Sequence, residues 1–291
     1  MVKTRQYTPK QRLDKLLSLA PLLAVLSLTG CYIEVTPSSD IGYDAGTDFP
    51  SGITQFTTQL LVDTAITPLM LSTESAAMLK DPDVYTSPRV RTATRAVTTI
   101  TTYSYLFDNW DCDYGGNTQL QAEADTTTHD GYIDVDMTLN SRADHCQVRQ
   151  DGKIHQIDSD LHYDVTGVYD RWEDKISTID AALTGNVSVE YGGRWFEHNY
   201  IDLQVTNQSS TDLVINGSSR IKLNDGYYNG SARLLTSNSV HVFFGESHPH
   251  YGTVRLNDGS DWVTLSFETD GVWRTDSNGY DHFASWSTLG Y

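Results

Sequence analysis

The sequence predicts a mainly β protein, built as a large antiparallel meander sheet or sandwich with one helical segment near its start. Three observations carry this. Apolar and polar residues alternate with period two through most of the chain after Ala96. Eight Asp-Gly or Asn-Gly pairs punctuate those runs, and these dipeptides tolerate the positive φ of tight turns. One stretch, Thr54 to Lys80, instead repeats its apolar residues at helical spacing.

The chain begins with a basic segment containing Lys3, Arg5, Lys10, Arg12 and Lys15, followed by an apolar run from Leu16 to Leu28. That run is too short to span a bilayer, and together with the charged start it reads as an export signal. The closing Leu28-Thr29-Gly30-Cys31 resembles the lipobox of bacterial lipoproteins. The resemblance implies cleavage before Cys31, lipid attached to it, and anchorage to a membrane by chains that each bury many methylenes. It also implies outer-membrane delivery, with the body facing the periplasm or the cell surface. Tyr32 follows Cys31, where enterobacterial members retained in the inner membrane carry Asp. The resemblance covers about thirty residues, so the mature domain is assigned to no family by it.

Residues 31–52 are rich in Gly, Pro, Ser and Asp without a sustained period, which predicts a flexible tether. In the segment that follows, Phe56, Leu60, Ile66, Leu69, Met70, Ala76, Ala77 and Leu79 mark the apolar side of a helix. Pro68 lies inside it and predicts either two short helices or one bent one. Residues 81–95 read as an irregular link. The body is then residues 53–291, with a further subdivision allowed near residue 207.

Strands follow. Ile133, Val135, Met137 and Leu139 alternate with Asp134, Asp136, Thr138 and Asn140. Ile157, Ser159, Leu161, Tyr163 and Val165 alternate with Asp158, Asp160, His162 and Asp164. Ile179 to Tyr191 repeats the pattern. Such alternation implies antiparallel pairing with one dry and one wet face, since buried parallel strands are apolar throughout. The dry face must be covered by the 54–80 helix or by the sheet folding over on itself. Hairpins are expected at Asp130-Gly131, Asp151-Gly152, Asn216-Gly217, Asp225-Gly226, Asn229-Gly230, Asp258-Gly259, Asp270-Gly271 and Asn278-Gly279. A short repeat, Ile221 to Gly226 against Val254 to Gly259, reads as a recurring hairpin.

Of three cysteines, Cys31 is taken by lipid, and Cys112 and Cys146 remain as an even pair in an oxidising compartment. A disulfide is expected; spacing without CxxC is a poor zinc signature. The formal charge of −18 includes a leader carrying five basic residues against Asp14, so the mature part stands at −22. So acidic a body is a poor match for nucleic acid and for anionic lipid headgroups, and no nucleic acid is expected as partner. A basic ligand, a neutral glycan or metal ions fit better, and an envelope protein or polysaccharide is the expected partner besides the membrane.

Asp158, Asp160, His162 and Asp164 share the wet side of one strand, and carboxylates lined across a sheet favour a hard cation such as calcium. A solvated acidic face is the alternative. Residues 108–116 and 276–281 resemble calcium loops only in part and read better as turns. His248 and His250, near His241, face one way if their segment is extended. Trp262 lies beside Thr264 and Ser266 on the side opposite Val263, Leu265 and Phe267, where an indole among hydroxyls can stack on a sugar. No nucleophile or zinc motif is present, so the sequence predicts a lipid-anchored structural or binding module of the envelope, more naturally than an enzyme. A secreted hydrolase or glycan-binding protein acting on envelope polymers is the alternative.

Overall fold

The computed structural model describes residues 52–80, 91–92, 100–150 and 153–291. The leader, Cys31, nearly all of the tether and the Asp151-Gly152 turn lie outside the described residues. A 3₁₀ turn, Ile53–Gln55, leads into helix α1, Thr58–Lys80. Thirteen strands follow: β1 Arg91–Thr92, β2 Ile100–Asp111, β3 Asn117–His129, β4 Tyr132–Gln150, β5 Lys153–Asp170, β6 Lys175–Tyr191 and β7 Arg194–Asn207. The rest are β8 Asp212–Asn224, β9 Asn229–Phe243, β10 Tyr251–Asn257, β11 Trp262–Glu268, β12 Gly271–Asp276 and β13 Asp281–Ser285, before a one-turn helix α2, Trp286–Leu289.

Each strand pairs antiparallel with the next in sequence, so the sheet runs from β1 to β13 as one meander. β7 and β8 pair on either side of residue 207, and the sheet continues through that point. The alternation explains the pairing. Val135, Met137, Leu139, Leu161, Tyr163, Val165, Ile179, Ala181 and Leu183 are all buried, and the residues between them face water. β4, β5 and β6 run 19, 18 and 17 residues, about three times an ordinary strand.

α1 covers the dry face, packing on β5, β6, β7 and β8. Leu60, Leu61, Val62, Ala65, Ile66, Leu69, Met70 and Leu71 are buried, so α1 is enclosed around most of its circumference. These side chains and the inward residues of the sheet form one core.

The helix passes through Pro68 as one element of 23 residues, not as two. Proline has no N–H, so the carbonyl four residues earlier, that of Thr64, lacks its helical donor. His198 on β7 supplies one: its Nε2 donates to the Thr64 carbonyl at 2.8 Å, and its Nδ1 accepts from Ser219 Oγ at 2.9 Å. The ring is fully buried, and burial lowers its pKa from 6.5 to about 4. A tertiary contact therefore replaces the bond whose loss would have broken the helix.

Two further polar contacts fix α1. Arg274 on β12, itself buried, donates through Nη1 to the Phe56 carbonyl and through Nη2 to the Thr54 carbonyl, both at 2.8 Å. Asp276 lies 3.3 Å from the same guanidinium, and Asp258 Oδ2 accepts from the Ile53 N–H at 2.8 Å. The entry to the helix is thus tied to the turns between β10 and β13. Further along, Asp63 accepts from Tyr291 Oη at 2.8 Å, from Tyr191 Oη at 2.8 Å and from Gln59 Nε2 at 2.7 Å.

Burial raises the Asp63 pKa above 3.8, against the opposing pull of those hydrogen bonds and of Arg194. The folded state therefore holds this proton more tightly than the unfolded chain does. Asp63 contributes stability that is fully present below about pH 3.8 and is lost as pH rises through the raised folded value. In Asp63→Asn the difference in melting temperature from wild type accordingly changes in the variant's favour as pH climbs from acid to neutral. A constant difference across that range would show that Asp63 carries no such linkage.

The hairpins follow the turn chemistry at Asp130-Gly131, Asp225-Gly226, Asp258-Gly259, Asp270-Gly271 and Asn278-Gly279. The repeat is two equivalent turns: Asn224 Oδ1 accepts from Gly226 N and Asn257 Oδ1 from Gly259 N, at 2.6 and 2.7 Å. Two expectations are corrected. Asn229-Gly230 opens β9, and Asn216-Gly217 lies within β8. Gly217 has φ +144°, and a Cβ there would stand 2.0 Å from the Asp202 carbonyl, so this glycine serves a close approach between strands and not a turn. The Cys112–Cys146 disulfide forms, tying the β2–β3 hairpin to β4, the next strand but one from β2.

Candidate functional site

The long strands are not uniform. Between Asn199 and Asp202, β7 advances three residues while β8 advances two, leaving Tyr200 as the extra residue at φ +54°. β4 does the same between Ala143 and Cys146, where His145 sits at φ +50°. β9 holds surplus residues between Leu235 and Val240. Bulges bend the strand that carries them and sharpen its twist. The bulges of β7 and β9 lie close together in the sheet and form a crease.

A groove of about 710 Å³ follows the crease on the outer face, with Asn186, Tyr200, Asp202, Ser218, Arg220 and Arg233 in its walls. A second, of about 510 Å³, shares Tyr200, Arg220 and Arg233 and extends to Lys222 and Asn257. Tyr200 is 71% exposed, and the Asn186 side chain accepts from its N–H at 3.1 Å. A bulky residue in the left-handed region is uncommon, and such strain gathers at binding sites.

The cations of the groove are arranged unusually. Arg220 on β8 and Arg233 on β9 are directly paired in register, and both are exposed. Like charges placed opposite one another are destabilising. Neither has a carboxylate or other hydrogen-bond acceptor among the described residues. Lys222, by contrast, is paired with Glu197 at 3.3 Å, and Glu197 is held below its usual pKa first by Asn199 and then by Lys222. Arg220 lies over the Tyr200 ring at 5.0 Å, and on β10 Arg255 lies over the Trp262 ring of β11 at 4.8 Å. A guanidinium held over a ring face by its charge still has N–H donors to offer a planar anion.

Trp262, the expected sugar platform, is half-buried on the outer face opposite Asn257, beside the second groove. Trp286 is buried, packed against Phe267 and His248. Asp158, Asp160, His162 and Asp164 do share the outer face of β5, but the register sets no acid opposite Asp160 or Asp164. Asp160 stands between Arg142 and Asn186, Asp164 between Thr138 and Ala182, and His162 bonds Asn140 and Asp164. Among the described residues, the side chains grouped closely enough for one ion are Asp144, His145 and Asp158, so only one of the four takes part. His241 pairs with Asp212 at 3.1 Å, while the rings of His248 and His250 do lie together, centroids 5.6 Å apart, with the pKa of His248 lowered first by burial. The 276–281 segment is a turn in which Asp276 accepts from the N–H groups of Asn278 and Tyr280.

No helix among the described residues is long and apolar enough to cross a membrane. Comparison with protein-family models, with curated proteins and with solved structures finds no match for this chain.

Proposed function

We propose that this chain is a lipid-anchored binding module of the bacterial envelope, held at the outer membrane through Cys31 and working through the outer face of its sheet. One observation carries the binding reading: the crease, where a strained Tyr200 and two opposed, unsatisfied arginines line an open groove. The inner face of the sheet is occupied by α1, which leaves recognition to the outer face. A hydrolase acting on envelope polymers would need two carboxylates at catalytic separation or an open metal centre within a concave site. The groove instead offers one carboxylate, Asp202, among cations, amides and hydroxyls, the equipment of recognition. A calcium-assisted mode of binding would run through Asp144, His145 and Asp158 and would be abolished by EDTA.

The address is tested on exported wild-type protein by mass spectrometry and fractionation. Cys31 is the acylated first residue, and Cys31→Ser moves the chain out of the membrane fraction. Finding Cys31 unmodified, or the leader retained, defeats the anchoring half of the proposal.

A further inference from the structure

We infer that the crease groove binds an acidic carbohydrate, with Arg220 and Arg233 as the clamp for its carboxylate or phosphate group. This rests on the binding-module reading and supplies its ligand class. Two arginines facing each other across a strand pair repel, and a bound anion removes that repulsion. The chain has 38 acidic residues against 20 basic ones, yet no carboxylate among the described residues reaches either guanidinium. Glu197 is given to Lys222, and Asp202 and Asp258, which share the grooves, form no ion pair with either arginine. Cations outnumber carboxylates in each groove, so some positive charge is left for a ligand.

The remaining walls select among anions. Asn186, Ser218, Asn199, Ser231 and Asn257 present amides and hydroxyls along both grooves, which match the hydroxyls of a sugar ring. Tyr200 and Trp262 stand at either side with the guanidiniums of Arg220 and Arg255 laid on their rings, so the cations are oriented before the ligand arrives. An acidic peptide of comparable affinity would seek a deep apolar pocket for an anchoring side chain, and these grooves are open, with walls built mainly of polar residues. Nucleic acid needs cations repeated along its path, whereas this surface returns to Asp202 and Asp258 within the same grooves. A sugar carrying an isolated anionic group suits both the small cluster of cations and the polar walls.

The test uses the full chain in detergent, titrated by calorimetry with oligogalacturonate, with a phosphorylated mannan oligosaccharide and with neutral dextran. Polyglutamate and vesicles containing phosphatidylglycerol serve as anionic ligands that lack the acidic sugar. At least one acidic glycan binds, more weakly as salt rises, and dextran does not. Arg220→Gln with Arg233→Gln lowers that affinity at least about tenfold. Both residues are exposed and their mutual repulsion is removed, so a melting temperature no lower than that of wild type verifies that the fold survives. Which glycan binds decides between carboxylate and phosphate. The inference is overturned if no acidic glycan binds, if the double variant binds as wild type does, or if polyglutamate or the vesicles bind as tightly. Each of those results leaves the acylation of Cys31 untouched, so failure of the ligand class is separable from failure of the anchoring proposal.

Discussion

Replacing His198 by leucine lowers stability by about 2–4 kcal/mol, because it leaves the Thr64 carbonyl and the Ser219 hydroxyl buried without partners. The loss is conditional on Pro68. In a Pro68→Ala background the new N–H at position 68 satisfies the Thr64 carbonyl from within the helix, so His198→Leu costs less there. Urea unfolding of the four proteins in a double-mutant cycle measures the coupling, expected at about 1–2 kcal/mol. Strictly additive effects would show that the histidine does not stand in for the missing donor. The pH dependence offers a second reading. The folded pKa is depressed from 6.5 to about 4, so the unfolded chain takes up the proton first. Stability supplied by neutral His198 is present above pH 6.5 and is lost as pH falls through about 4. The leucine variant lacks that acid-side decline.

Arg274→Met is expected to cost about 3–5 kcal/mol, the range for breaking a buried ion pair by removing one partner. Asp276 is then left without its cation, and the Thr54 and Phe56 carbonyls without their donors. Arg274→Lys recovers little, since one ammonium cannot span three acceptors that a planar guanidinium reaches together. Arg274→Met with Asp276→Leu is less destabilised than Arg274→Met alone, because no unpaired charge remains. Chemical denaturation gives the magnitudes, and limited proteolysis near residues 52–58 reports whether the helix entry has loosened. Equal stability of the single and double variants would refute the buried-charge account.

Much of the fold was legible because burial on one face writes itself into alternation. Val135, Met137 and Leu139, or Ile179, Ala181 and Leu183, point to the core as their spacing requires. The disulfide followed from cysteine parity. Continuity of α1 was not legible, since the partner that rescues Pro68 lies on a strand 130 residues downstream of it. The groove was missed for a different reason. Its signal was a slip of phase in β7, where the buried residues Phe196 and His198 are followed by Ile201, Leu203 and Val205. Such a slip marks one extra residue, and hence a bulge at Tyr200. The pairing of Arg220 with Arg233 follows from the four-residue loop between β8 and β9 with no shift before it, but the adjacent turn signals Asp225-Gly226 and Asn229-Gly230 left the place of that loop open in the sequence. Trp262 was singled out for its hydroxyl neighbours; the structure adds the arginine that lies on it.

Because each strand joins the one made just before it, and the enclosed helix precedes them all, the body can be assembled in the order in which it is synthesised. Every newly added strand finds its pairing partner already present, and β5 to β8 also find the helix they pack on, so no strand waits for a distant partner. Neighbour-to-neighbour pairing keeps much of the loop-closure entropy small and favours rapid folding for so large a sheet.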